Sequence, residues 1–209
     1  MPISGPHKRW KYDLHPSVQM AHSVIAAMKQ KTGRSIDDWV QLAKKHGPSG
    51  EKERAAWLKR EHGLGTNYAG WIAGRSLGKT EATDSADEYL KHAPDYVDKM
   101  FAGPKEHLRA TYDAILTFAK TLGPDIRVSP CKTFVPIYRN HVIAQIKPTT
   151  RTRIDLGLAL GNTKTPKRLI DTGGFAKKDR ITHRIEITGV EDFEDEAKSW
   201  MKKAYEMEA

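Results

Sequence analysis

Apolar positions keep two different rhythms along the chain. Up to about residue 122 they recur every three or four positions, and beyond that every second one until a last helical stretch near the end. In the first stretch Val18, Ala21, Ile25 and Met28 share one face of a predicted helix that starts near Ser17 and stops at Gly33. Ser35 with Asp38 three positions on has the spacing of a capping box. It opens a helix striped by Ile36, Trp39, Val40 and Ala43 and closed by Gly47-Pro48. Two more short helices are predicted over 51–62 and 66–75. The stretch GKTEATDSADEY has no period and reads as a linker. After it, ADEYLKHAPDYVDKMF reads as a helix broken at Pro94. A longer helix carries Leu108, Tyr112, Ile115, Leu116 and Ala119 and ends at Gly123.

Then the rhythm changes. IRVSP, KTFVPIYR, HVIAQIKP, TRIDLGLAL and RITHRIEIT are five strand candidates, with Arg139-Asn140-His141 as a tight connection. In TTRTRIDLGLAL, counting by twos puts Ile154, Leu156, Leu158 and Leu160 on one side and Arg151, Arg153 and Asp155 on the other. A last helix, EDFEDEAKSWMKKAYEM, has acids first and lysines later, the order its dipole favours. Phe193, Ala197, Trp200 and Met201 would dock it on the sheet. The predicted fold class is α+β: an N-terminal bundle of short helices, then an antiparallel sheet of about five strands packed with helices. Its expected parts are a flexible N-terminus over 1–16, a helical domain over 17–78, a linker over 79–85 and an α+β domain over 86–209.

Charge sharpens this picture. The formal net charge is +9, and residues 120–184 hold fourteen Lys/Arg against four Asp/Glu, while 185–209 hold three against eight. A basic, strand-rich segment beside an acidic tail attracts a polyanion or balances itself as a solvated face. The one cysteine, Cys131, excludes an intramolecular disulfide framework and a thiolate-rich zinc site. No apolar run reaches the ~20 residues of a membrane span, and the first sixteen residues lack the apolar core of a signal peptide. These features predict a cytoplasmic protein with no membrane partner.

Two fragments carry a resemblance. TGRSIDDWVQLAKKHG with AAWLKREHGLGTNYAGWIA resembles a small helical domain of unknown function found in bacterial proteins. YDAILTFAKTLGPDIRVSPCKTFVPIY with IKPTTRTRIDLGLAL and THRIEI resembles a second uncharacterised domain, loosely labelled a predicted transport protein and sometimes fused to nuclease-like or restriction-related modules. The resemblance implies a bacterial two-domain protein and transfers no catalytic residue.

Three constellations are chemically suggestive. In KREHGLGTNYAGW, Gly63 and Gly65 between two helices resemble a helix-hairpin-helix turn, where backbone N–H groups meet a phosphate and Lys59 and Arg60 add charge. The structural alternative makes Gly63 a helix cap and Gly65 a turn. On the sheet, Lys132, Phe134 and Tyr138 alternate onto one side, with Lys147 and Gln145, Arg151, Arg153 and Arg184 as neighbours, a basic surface with aromatics suited to phosphates and stacked bases. Its alternative buries the aromatics and pairs Arg153 with Asp155 or the acidic last helix. Third, Asp125 with Gln145-Ile146-Lys147 imitates a Mg²⁺-dependent nuclease, with an amide where an acid is usual. No metal-ligand spacing, nucleotide loop or cofactor motif is legible: His183 reads as a packed or surface histidine, and DTGGFAKKD as a mobile turn. The chain thus reads as a binding protein more than an enzyme, its ligand a nucleic acid or other polyanion gripped by backbone phosphates. A small anionic ligand or an acidic protein partner is the alternative, and the nuclease comes third.

Overall fold

The computed structural model describes residues 11–79, 85–166 and 168–208. They separate into two compact units: Pro16–Tyr89, and the described residues of Met1–His15 together with those of Leu90–Ala209. In chain order the helical unit is inserted into the α+β unit. Residues 80–84 of the expected linker and residues 1–10 of the expected flexible start lie outside the described residues.

In the helical unit, α1 (Pro16–Ala26), α2 (Met28–Thr32), α3 (Ile36–His46), α4 (Glu51–His62) and α5 (Thr66–Ser76) follow one another, and α6 (Ala86–Met100) begins here. The single helix expected over 17–33 is interrupted at Ala27, whose ψ of −8° tightens the turn. Met28 is fully buried just after it, in a core with Trp39, Leu58, Leu64, Ala69 and Ile72. The capping box forms: the Ser35 hydroxyl accepts from the Asp38 N–H at 3.2 Å, and the Asp38 carboxylate accepts from the Ser35 N–H at 3.1 Å. The Ser35 hydroxyl also donates to the Asp38 carboxylate at 2.7 Å, and that bond, with the one from the Ser35 N–H, holds the carboxyl below the usual carboxylate range. Arg54, buried, has a role the sequence did not announce. Its guanidinium donates to the Pro48 carbonyl at 2.7 Å and to the Ser76 hydroxyl at 2.5 Å, stapling the α3–α4 turn to the end of α5.

The α+β unit continues with a 3-10 turn (Gly103–Leu108), α7 (Arg109–Thr121), six strands and α8 (Asp195–Glu206). The strands are β1 (Arg127–Val128), β2 (Val135–Tyr138), β3 (Val142–Lys147), β4 (Ile154–Leu158), β5 (Ile170–Asp171) and β6 (His183–Ile187). They form one antiparallel sheet in the order β1-β2-β3-β4-β6-β5. The extra strand, β5, is two residues long within a polar stretch, too short to show a period.

Pro94 does not break α6. Proline in a helix interior costs ~3 kcal/mol through a lost hydrogen bond and a clash. Here Leu90, Ala93, Val97 and Met100 form a buried helical stripe, and that burial offsets the cost. On the sheet's core face, the ladder sets Ile146 opposite Leu156, Leu156 opposite Ile185 and Ile154 opposite Ile187, all fully buried. α8 packs on β3 and β4, with Ala197, Met201 and Ala204 buried and Trp200 only partly so. The opposite face carries Gln145, Lys147, Asp155, Arg184 and Glu186. Gly157 lies among them. A Cβ there would meet the Ile181 side chain at 2.8 Å, so glycine is what lets Ile181 rest on this face.

The start of the chain is tied into the same unit. The Asp13 N–H donates to the Val128 carbonyl and the Val128 N–H to the Asp13 carboxylate, both at 2.8 Å. The buried Tyr12 and Tyr112 hydroxyls are 3.0 Å apart, and Tyr138 bonds to His15 Nε2 at 3.2 Å. Within the segment expected to be flexible, Tyr12 is thus bonded to α7 and residues 13–15 along β1 and β2, the tyrosine hydroxyls because they need partners when buried.

Candidate polyanion-binding cleft

β3 ends where Pro148, which has no N–H, stops the ladder. The chain turns back through Thr150, whose N–H donates to the Arg153 carbonyl at 3.4 Å, leaving Arg151 exposed at the tip. Beneath this turn the Lys105 ammonium donates to the Pro148 carbonyl and pins it to the 3-10 turn. Between these elements and the segment leading into β2 lies a cleft of about 480 Å³. Among the described residues its charged lining is Lys99, Lys105, Lys132, Lys147 and Arg151, with no acidic side chain. Among the described residues none of these five makes an ion pair. Lys147 faces Asp155 across the ladder, yet that carboxylate is engaged elsewhere.

Arg153 is what engages it. Its guanidinium lies 2.9 Å from Asp155 and 2.9 Å from Glu186, and Arg184 lies 3.1 Å and 2.8 Å from the same two acids. The Arg153 Nε and the nearest Asp155 oxygen are both buried and lack a hydrogen-bond partner, so their contact is coulombic attraction without a directed bond. Two cations and two anions cancel, and Thr149 adds a hydroxyl donated to Asp155 at 2.9 Å. The structure therefore brings Lys132, Lys147 and Arg151 together and withdraws Arg153 and Arg184 from the basic surface. Lys99 and Lys105 complete the cleft. Sequence reasoning missed both because they precede the strands, on α6 and the 3-10 turn, where lysines look like solvated helix residues.

Phe134 and Tyr138 are not in the cleft. They line a neighbouring pocket of about 400 Å³ with His15, Gln145, Asp179, Arg180 and Ile181 among its walls. Burial pushes the Tyr138 phenol up to about 12 and holds His15 below its ordinary value.

In the helical unit, Gly63 is the left-handed residue that ends α4, at φ +65°, with its N–H on the Lys59 carbonyl at 3.1 Å and the Leu64 N–H on the Leu58 carbonyl at 3.4 Å. Gly65 stands extended at the start of α5 and its carbonyl accepts from Ala69. Lys59 is exposed, and Arg60 is ion-paired to Glu61 at 2.7 Å. The hairpin forms, and its glycines have a sufficient local reason in capping.

Asp125 and Lys147 of the nuclease pattern lie toward opposite ends of β2: Asp125 bonds to Arg139, and Lys147 follows Ile146, which pairs with Val135. Asp125 accepts from Arg139 at 2.8 Å and from the Tyr205 hydroxyl at 2.8 Å, which lowers its pKa. Among the described residues no three His, Cys, Asp or Glu side chains stand close enough to hold a metal ion. His183 is buried, its Nε2 on the Thr163 carbonyl at 3.0 Å and its Nδ1 on the Thr182 hydroxyl at 2.8 Å. The carbonyl accepts only, so Nε2 carries the proton and the imidazole is a structural tie.

A family model described as Domain of unknown function (DUF5655) matches residues 97–208, more than half of the chain. The chain belongs to that family. All five cleft cations fall inside the DUF5655 segment, whereas the Tyr12–His15 strap lies outside it. A second model, Domain of unknown function (DUF4287), matches residues 20–75 and so covers most of the helical unit. This is the two-domain family of unknown function that the two sequence fragments resemble. No curated protein and no solved structure matches the chain. Among the described residues no helix is long and apolar enough to cross a membrane.

Proposed function

We propose that the α+β domain binds the phosphates of a polyanion, with nucleic acid as the favoured ligand, and that Lys99, Lys105, Lys132, Lys147 and Arg151 grip its backbone. One observation carries this reading: among the described residues, five cations line a single cleft with no acid among them. Like charges held together repel, and a bound anion relieves that cost. An ammonium or guanidinium beside a phosphate also makes a charge-assisted hydrogen bond. A cytosolic setting suits such a ligand and a lone unpaired cysteine.

The concave shape of the cleft supports a second reading, a compact anionic ligand such as an oligophosphate. Fluorescence-anisotropy titration with a labelled oligonucleotide, repeated across salt concentrations and in competition with inorganic polyphosphate, tests both. Nucleic-acid binding predicts a steep fall of affinity with salt, on the order of 0.7–0.9 log units per log unit of salt for each phosphate neutralised. A compact ligand predicts tight polyphosphate binding without measurable oligonucleotide binding. Binding of neither at low salt would contradict the proposal.

A further inference from the structure

We infer that the pocket walled by Phe134, Tyr138 and Gln145 is a base-binding subsite, and that the strand gripped by the cleft is a single-stranded nucleic acid. This rests on the phosphate reading above and adds to it the part of the ligand that is not phosphate.

The two cavities are consecutive along β3. Gln145 and Lys147 are two residues apart, so their side chains leave the same face of the sheet at a spacing of about 7 Å. Lys147 lines the cleft and Gln145 the pocket. On the neighbouring chain segment the same division recurs, with Lys132 in the cleft and Phe134 in the pocket. A nucleotide whose phosphate sits among the lysines therefore has its base within reach of Phe134.

The pocket has what a base needs, and its two charged lining residues, Asp179 and Arg180, are of opposite sign. Phe134 offers a half-buried ring, and Pro136 and Ile181 add apolar wall. The Gln145 amide is partly exposed and makes no hydrogen bond among the described residues, leaving a donor and an acceptor for a base edge. At neutral pH Tyr138 keeps its proton and His15 stays uncharged, so neither adds net charge. Arg180 is fixed at the rim by the Val142 carbonyl, 2.9 Å from its Nε, and by Glu208. A pocket of about 400 Å³ is large enough for one base, and a base still stacked in a duplex has no free face to offer the ring. A single strand alone presents free base faces and edges, and stacking on an aromatic ring is how such strands are held without reading sequence.

The test uses the full chain and three probes: a short oligothymidylate, an abasic oligomer of equal length, and a duplex of that length. Wild-type protein should bind the oligothymidylate more tightly than either of the others. Phe134→Leu, which keeps an apolar side chain and removes the ring, should weaken oligothymidylate binding about tenfold, as loss of one stacked base does, and leave the abasic probe unaffected. Gln145→Ala, at a partly exposed position, should act in the same direction and keeps the test valid if Phe134→Leu disturbs packing. Equal wild-type affinity for the oligothymidylate and abasic probes overturns the subsite, as does an equal loss on both in the variants or a preference for the duplex. Failure of the cleft itself looks different: the abasic oligomer would not bind even at low salt.

Discussion

Arg151 and Arg153 are two positions apart and belong to opposite kinds of surface. Arg153 meets Asp155 and Glu186 on the open face of the sheet, where Arg184 closes a four-charge cluster with no net charge. Arg151 extends from the β3–β4 turn into a cleft where every other charged group among the described residues has its own sign. The cluster spends its electrostatics inside the fold, whereas the cleft leaves them for a ligand. Basic composition therefore does not locate a binding surface; the placement of the acids does.

Several substitutions sharpen or break that contrast. The yardstick is the core face of the same strand: Leu156→Ala, at a fully buried position, should cost about 2–5 kcal/mol in urea unfolding. Next comes the cluster. Asp155→Ala leaves two partly buried guanidinium groups facing one acid and should cost about 1–3 kcal/mol, less than the 3–5 kcal/mol for breaking a fully buried pair because water still reaches them. The joint change Lys147→Ala with Arg151→Ala should alter stability by no more than about 0.5 kcal/mol, since neither makes an ion pair. The same double variant should lower oligonucleotide affinity at least about tenfold, close to 1.4 kcal/mol. An unfolding penalty as large as that of Asp155→Ala would place these two residues in the fold's support and end the contrast.

Smallest of all is a pH effect. Burial keeps His15 below the ordinary histidine value of about 6.5, so below that pH the unfolded chain takes up a proton that the folded chain resists. Stability should fall on acidification from pH 7 to about 5.5, by less than about 1 kcal/mol, and His15→Asn should flatten that slope.

The helices and the strand alternation were legible because both rest on local rules. Ser35 and Asp38 announce their cap by spacing, and Ile154, Leu156 and Leu158 announce their face by period. Pro94 was misread because its penalty is local, while the burial that outweighs it depends on what the helix packs against. Asp155 beside Arg153 could be suspected from sequence, but Glu186 and Arg184 arrive from a strand about thirty residues later, and only the β4–β6 register sets Asp155 opposite Glu186. The cleft is harder still. Lys99 and Lys105 reach Lys132, Lys147 and Arg151 through a 3-10 turn docked beneath a strand connection, and no spacing along the chain encodes that meeting.

The most direct measurement is the salt dependence of oligonucleotide binding for three proteins side by side: the wild type, the Lys147→Ala/Arg151→Ala variant and Arg153→Ala. The predicted result is a wild-type slope that drops by about 2 in the double variant, one for each lost phosphate contact, and is unchanged in Arg153→Ala. Equal slopes in all three proteins, or a drop only with Arg153→Ala, would contradict the assignment of the cleft as the phosphate-binding surface.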